Sequence, residues 1–176
     1  MAIDESKTFT PINIAVLTVS DTRTAADDTS GNILAERIVS AGHTLAAREI
    51  VKDDASLLAT QLDAWIDDPQ IDAIVSTGGT GLTGRDVTPE ALSRIEDGRD
   101  IPGFGELFRW LSFKTIGTST VQSRACAIVA RGTYIFALPG SNGAVKDGWD
   151  GILVEQLDSR NRPCNFVELM PRLKEK

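Results

Sequence analysis

The chain has 176 residues, enough for one domain with its own core and no need of disulfide or metal staples. It is 41% hydrophobic and 24% charged, and its net charge of -7 argues against a general nucleic-acid binder or a membrane-surface protein. No run of 18 apolar residues offers a membrane span, and Cys126 and Cys164 have neither metal spacing nor a disulfide framework, which points to a reduced, cytoplasmic setting.

Residues 1–10 carry charges without an apolar run, so they read as a flexible N-terminal tail and not as a signal peptide; residues 11–176 read as a single domain. Ile12 to Val19 is apolar and β-branched, which predicts a strand buried on both faces. It ends in the polar turn Ser20-Asp21-Thr22-Arg23. Asp28 or Ser30 caps a helix with Ile33, Leu34, Ile38 and Ala41 on its apolar face, and Gly42 stops it. His43, the only histidine, follows that glycine and reads as a solvated turn residue. Leu45 to Val51 predicts a weaker strand, and Ala55 to Asp67 a helix with Leu58, Leu62, Trp65 and Ile66 inward, ended by Pro69. Ile71 to Ser76 predicts a third strand.

That strand delivers the chain into Ser76 to Pro89, S-T-G-G-T-G-L-T-G-R-D-V-T-P. Glycines there permit close approach of backbone to a ligand, and exposed amides suit an anion. The stretch is neither a Walker loop nor a Rossmann fingerprint. Pro89 suits the first turn of a helix with Leu92 and Ile95 inward, stopped by Gly98. Phe104, Leu107, Phe108 and Leu111 form an i, i+3, i+4, i+7 stripe, a helical pattern; Phe104, Phe108, Trp110 and Phe113 crowd this segment, which predicts a subunit interface in the region that excludes Phe104 and Leu107, turned inward by the stripe. Thr115 to Ser123 reads as a polar turn. Ala125 to Val129 and Thr133 to Leu138 flank Arg131-Gly132 as a hairpin, which makes one strand antiparallel. A last helix, Ala144 to Leu157, turns Val145, Trp149, Ile152 and Leu153 inward, and residues after Asp158 read as a tail.

Strands alternating with helices predict an α/β fold, helices covering both faces of a mostly parallel sheet. Ligands of such sheets sit outside the carboxyl ends of the strands. Asp21, Asp53 and Asp86 then converge with the glycine loops Thr77 to Thr88 and Pro139 to Gly143. The absences narrow the chemistry: one histidine leaves no serine–histidine–aspartate arrangement, and no Cys/His cluster suits zinc. Carboxylates at a phosphate site repel the ligand unless a divalent cation intervenes, and Mg²⁺ takes one or two carboxylates plus substrate phosphates. The residues therefore suggest a Mg²⁺-dependent enzyme acting on a phosphate-bearing small molecule.

Thr77-Gly78-Gly79-Thr80-Gly81, followed by Arg85-Asp86-Val87-Thr88-Pro89-Glu90-Ala91, resembles the signature of the molybdopterin-binding MogA/MoaB family. The resemblance extends to Asp28-Thr29-Ser30-Gly31, Pro102 to Glu106, Leu138-Pro139-Gly140-Ser141 and Arg162 to Phe166. Gly117 to Arg124 and the tail are most similar to the family's MoaB branch. The family implies a three-layer αβα sandwich with one antiparallel strand and a homo-oligomer, trimer or hexamer. It implies Mg²⁺- and ATP-dependent adenylylation of molybdopterin, giving adenylyl-molybdopterin and pyrophosphate. Asp53 and Asp86 match the two functional aspartates, with Asp54 competing for the first place, and both are candidate Mg²⁺ ligands. Thr77, Gly78, Gly79, Thr80 and Gly81 would line the pterin-phosphate site, and Pro139, Gly140, Ser141 and Ser123 would complete it. Ser20 and Asp21 fall on the nucleotide side. Leu82-Thr83-Gly84-Arg85 stands where active relatives carry a bulkier, more basic stretch, so a non-catalytic molybdopterin-binding or scaffold protein is the alternative.

Overall fold

Alternation along the first strand sets up two cores. In the computed structural model, which describes residues 3–175, β1 (Asn13–Val19) turns Ile14 and Val16 to one face and Ala15, Leu17 and Val19 to the other. All five are buried, so helices must cover both faces. The other strands are β2 (Thr44–Val51), β3 (Ala73–Thr77), β4 (Arg99–Asp100), β5 (Cys126–Ala130) and β6 (Thr133–Leu138), in the order β2-β1-β3-β6-β5-β4. The first four in that order run parallel, and β5 is antiparallel to both of its neighbours. The β5–β6 connection is a two-residue turn in which Arg131 (φ 49°) and Gly132 (φ 99°) both lie in the left-handed region, matching the twist of a hairpin.

One core packs α1 (Thr29–Ser40), α4 (Pro102–Ile116) and α5 (Asn142–Gly148) on the sheet, through Leu34, Ile38, Phe104, Phe108, Val145 and Trp149. The other packs α2 (Ala55–Ile66) and α3 (Thr88–Leu92), through Leu58, Leu62, Trp65 and Leu92. The result is the expected three-layer α/β sandwich with one antiparallel strand. Among the described residues no helix is long and apolar enough to cross a membrane.

Several elements differ from expectation. The helix at Pro89 ends at Leu92, yet Ile95 stays buried in the turn that follows. Residues 115–123 are not a loose turn: α4 continues to Ile116, and a 3-10 helix, Gly117–Gln122, follows. Leu107 is 41% exposed and not inward. The cause is Gly105, where a Cβ would lie 2.4 Å from the Ala125 carbonyl. That close approach rolls α4 onto Phe104, Gly105, Phe108 and Ser112 and leaves Leu107 outside, with Trp110, Phe113 and Ile116. The last helix contains a π-helical turn, Trp149–Leu153, between α5 and α6 (Val154–Gln156), and the tail carries α7 (Phe166–Leu169).

His43 is the clearest correction. It is only 6% exposed, its Nδ1 accepts from the Ile12 amide at 3.3 Å, and the Phe9 ring packs against it at a tilt of 46°. The stretch 3–10, which reads as a loose tail, makes the cover: Ile3 bridges Asn161, Asp4 pairs with Arg162, and the Thr10 amide donates to Ser159 Oγ. Burial lowers the pKa of His43 from 6.5, with the Asp158 carboxylate opposing. The unfolded chain therefore takes up this proton first as pH falls. The contribution to stability is complete above the unfolded value and declines as pH drops from there through the folded one. His43→Asn, which keeps an acceptor for Ile12, is expected to remove this component from urea midpoints measured between about pH 5 and about pH 8. Parallel pH profiles for the two proteins would contradict it.

Candidate active site

Four parallel strands end on the same edge of the sheet, and each carboxyl end carries one of the predicted segments. The registers Thr18↔Thr77 and Thr77↔Leu138 align them. The central segment starts at Gly78 (φ 107°) and Gly79 (φ 64°). A Cβ on Gly78 would lie 2.3 Å from the Val19 carbonyl, so only glycine fits both the conformation and the space.

The carbonyls of Gly78 to Gly81 are all held from within the protein. Gly78 O accepts from Thr88 Oγ1 (2.8 Å) and Gly79 O from Thr88 N (2.9 Å). Thr80 O accepts from Arg124 N (2.9 Å) and Gly81 O from Arg124 Nε (2.7 Å). Arg124 also donates to Asp86 O at 2.6 Å and pairs with Glu90. With the carbonyls held from behind, the amides of Gly79 and Thr80 have no acceptor among the described residues. Thr80 Oγ1 is buried and likewise without a partner.

Three cavities border the loop; one, about 320 Å³, is lined by Leu82, Thr83, Gly84, Asp86, Val87, Glu90 and Arg124, and the other two differ sharply in character. The larger, about 410 Å³, lies between the loop, the end of α4 and the start of α5. Phe108, Ile116, Pro139 and Ala144 give it apolar walls, and Thr80, Gly81, Ser123 and Ser141 border it. Ser141 also caps α5, accepting from Ala144 N at 3.2 Å, and Ser123 Oγ accepts from Ala125 N at 3.3 Å. The smaller cavity, about 210 Å³, is acidic: Ser20, Asp21, Asp53 and Asp86 line it with Thr83 and Arg85. Ser20 Oγ accepts from the amides of Thr22 and Arg23, which closes the turn after β1.

Thr77, Gly78, Gly79 and Gly140 do not line either cavity; Thr77, Gly78 and Gly140 support the loops from beneath. Thr77 is buried and donates to Pro139 O (3.2 Å), and Gly78 N donates to Leu138 O (2.9 Å). A Cβ on Gly140 would lie 3.3 Å from Gly78 Cα, so the two loops touch through glycines. Arg23 holds Gly140 O at 3.0 Å and pairs with Asp28. Asp28 is fully buried: burial opposes its ionisation, but Arg48, Thr18 and the Gly31 amide outweigh it and keep its pKa low. This arginine-paired carboxylate caps α1 and steadies the Pro139 to Ser141 wall.

The consecutive aspartates after β2 separate cleanly. Asp54 accepts from the amides of Ser56 and Leu57 and is the cap of α2. Asp53 faces the acidic cavity and exchanges hydrogen bonds with Asp21: Asp21 N donates to Asp53 Oδ2 (3.0 Å) and Asp53 N to Asp21 Oδ1 (3.2 Å). Burial and the charges of Asp21 and Asp86 raise its pKa against the Asp21 amide and Arg85. Asp86 goes the other way. Burial raises it, but the Thr83 hydroxyl and amide, the Gly81 amide and Arg124 bring it below the ordinary value. Arg85, 79% exposed, is the nearby cation, 3.9 Å from Asp21. Among the described residues no three His, Cys, Asp or Glu side chains form a metal cage. The crowded carboxylates nevertheless suit a hard cation that takes its remaining ligands from phosphate and water.

Sequence reasoning missed the wall built by Thr115, Ile116, Ser119 and Thr120, because a hydroxyl-rich run looks like a turn. It also missed the clamping role of Arg124, which the lone arginine before the β5 run did not signal.

Fold and site define a ligand-binding α/β domain with its pocket at the carboxyl edge of a mostly parallel sheet. Residues 15–159 match the family described as "Probable molybdopterin binding domain". Molybdenum cofactor biosynthesis protein B of Escherichia coli (strain K12) is 50% identical over 161 residues, covering 92% of this chain and 94% of that protein. A solved molybdenum cofactor biosynthesis protein B superposes with a TM-score of 0.85 at 34% identity, covering 97% of this chain and all of that one. The tungsten cofactor synthesizing protein MoaB from Pyrococcus furiosus gives 0.71 at 35% identity, over 82% of this chain and 92% of its own. The chain belongs to the MogA/MoaB molybdopterin-binding-domain family.

The loop's dependence on Thr88 can be measured. Thr88→Val keeps the side-chain shape and leaves Gly78 O without its donor, so it is expected to cost about 1–3 kcal/mol in urea unfolding. An unchanged midpoint would mean that this bond does not hold the loop.

Proposed function

We propose that the protein acts in molybdenum cofactor biosynthesis, in the cytoplasm, as a molybdopterin adenylyltransferase using Mg²⁺ and ATP. The observation that carries this reading is the backward-pinned glycine loop, which leaves the Gly79 and Thr80 amides unpaired among the described residues and borders an apolar cleft at Thr80 and Gly81 and an acidic cavity at Thr83, Arg85 and Asp86. In this reading the cleft takes the pterin, the amides bind its phosphate, and the acidic cavity takes the nucleotide side.

The terminal phosphate of molybdopterin attacks the α-phosphorus of ATP, and pyrophosphate leaves. Its oxygen is already anionic, so the chain need supply no general base. Gly79 and Thr80 amides orient the attacking phosphate, and the apolar walls exclude water around the ring. Asp53 and Asp86 would hold Mg²⁺, with Asp21 braced against Asp53 by their reciprocal hydrogen bonds. Bound there, the cation would neutralise charge on the triphosphate. Thr83 keeps Asp86 in place and ionised.

A second reading, a molybdopterin-binding or scaffold protein without turnover, is favoured by the loop Leu82 to Arg85. Leu82 is 67% exposed, and among the described residues Arg85 is the one cation lining the acidic cavity with its three carboxylates. As the family implies, we also propose a homo-oligomer, trimer or hexamer, whose contact uses the outer side of α4, where Trp110, Phe113 and Ile116 are each more than half exposed. A monomeric mass by light scattering would contradict that assembly.

The test is pyrophosphate release from molybdopterin, ATP and Mg²⁺ at stoichiometric enzyme. Release is expected, and Asp86→Asn is expected to reduce it at least about tenfold while preserving the fold. No release with molybdopterin still bound would establish the second reading; wild-type release from Asp86→Asn would remove Asp86 from the mechanism.

A further inference from the structure

The larger cleft contains one charged side chain that the reading so far leaves idle. Asp147 lies on α5, one turn after Gly143 and Ala144, so these three residues face the cleft while Val145, Gly148 and Trp149 face the core. Among the described residues it is the only ionisable one bordering the cleft. The carboxylate is half-buried, and it makes no hydrogen bond or ion pair with any described residue. Asp150, about a turn further on in the π-helical segment, behaves differently: it is paired with Arg37 through two bonds. Another wall of the cleft holds the buried, partnerless Thr80 hydroxyl.

An unpaired carboxylate in a mostly apolar cleft is costly unless a ligand brings donors to it. The ligand must also be flat enough to lie against Phe108, Ile116 and Pro139. A carboxylate with two acceptor oxygens matches a pair of adjacent N–H donors. A pterin offers that pair on its pyrimidine edge, where the N3–H and the exocyclic 2-amino group lie side by side.

We propose that Asp147 is a specificity-determining residue that reads the 2-amino edge of the pterin. This rests on the reading of the cleft as the pterin site. The N3–H and one 2-amino hydrogen donate to the two carboxylate oxygens, and the ring packs between the apolar walls. A 2-oxo analogue places an acceptor where the carboxylate needs a donor, and is rejected by repulsion as well as by a lost bond.

Pterin and lumazine, which differ at position 2 by amino against oxo, are the probes. Their binding to the wild type and to Asp147→Asn is followed by ligand fluorescence. The side chain is half-exposed and unpaired, so Asp147→Asn should fold normally, which a thermal melt checks. The wild type is expected to prefer pterin by roughly tenfold to hundredfold, and Asp147→Asn, which presents a donor as well as an acceptor, to lose or reverse that preference. An unchanged preference in Asp147→Asn overturns the role of Asp147 while leaving the cleft as a pterin site. A wild type that binds neither probe overturns both.

Discussion

The structure depends on how four consecutive carbonyls are held. A glycine loop at the end of a strand has a choice of which way its peptides face, and here Thr88 and Arg124 make that choice. Thr88 takes Gly78 O with its hydroxyl and Gly79 O with its amide; Arg124 takes Thr80 O with its amide and Gly81 O with its guanidinium. Positive φ at Gly78 and Gly79 makes the geometry accessible, and the Val19 carbonyl forbids any side chain at Gly78. With the carbonyls committed inward, the amides of Gly79 and Thr80 are left without an acceptor among the described residues. In the proposed function an anion preference of the loop would follow from this backbone geometry, and a chain of net charge -7 would need no basic field to bind phosphate.

The same pinning divides the carboxyl edge of the sheet in two. One side is lined by α4, the 3-10 helix and α5 and is mostly apolar; the other is lined by the ends of β1 and β2 and is acidic. Each side is braced by a buried or half-buried arginine. Arg124 binds the loop exit at Asp86 O and pairs with Glu90, while Arg23 joins buried Asp28 to Gly140 O. Arginine suits both places because its planar fork reaches a carbonyl and a carboxylate at once.

Much of this was legible in the sequence because it is local. The double burial of β1 is written in Ile12 to Val19, the cap at Asp28 in its position before the apolar stripe, and the hairpin in Arg131-Gly132. What was not legible depends on distant partners. Arg124 finds its acceptors 34 to 44 residues away, and nothing beside it in the chain announces them. Asp53 and Asp54 look alike until the amides of Ser56 and Leu57 claim one of them for the α2 cap. Leu107 follows the helical stripe but is rolled out by the close approach at Gly105, and His43 is buried by Phe9, 34 positions before it in the chain. For Leu107 periodicity gave the helix correctly, and here as in the other cases tertiary contact decided what the side chain does.

The central claim is that the outward amides of Gly79 and Thr80 receive the ligand's phosphate. Amide NMR on the isotope-labelled protein tests it directly, with molybdopterin as titrant. The Gly79 and Thr80 amide protons should move downfield as they acquire an acceptor, while Gly78, whose amide is already committed to Leu138 O, should move little. Saturable binding that leaves Gly79 and Thr80 unmoved would contradict the account.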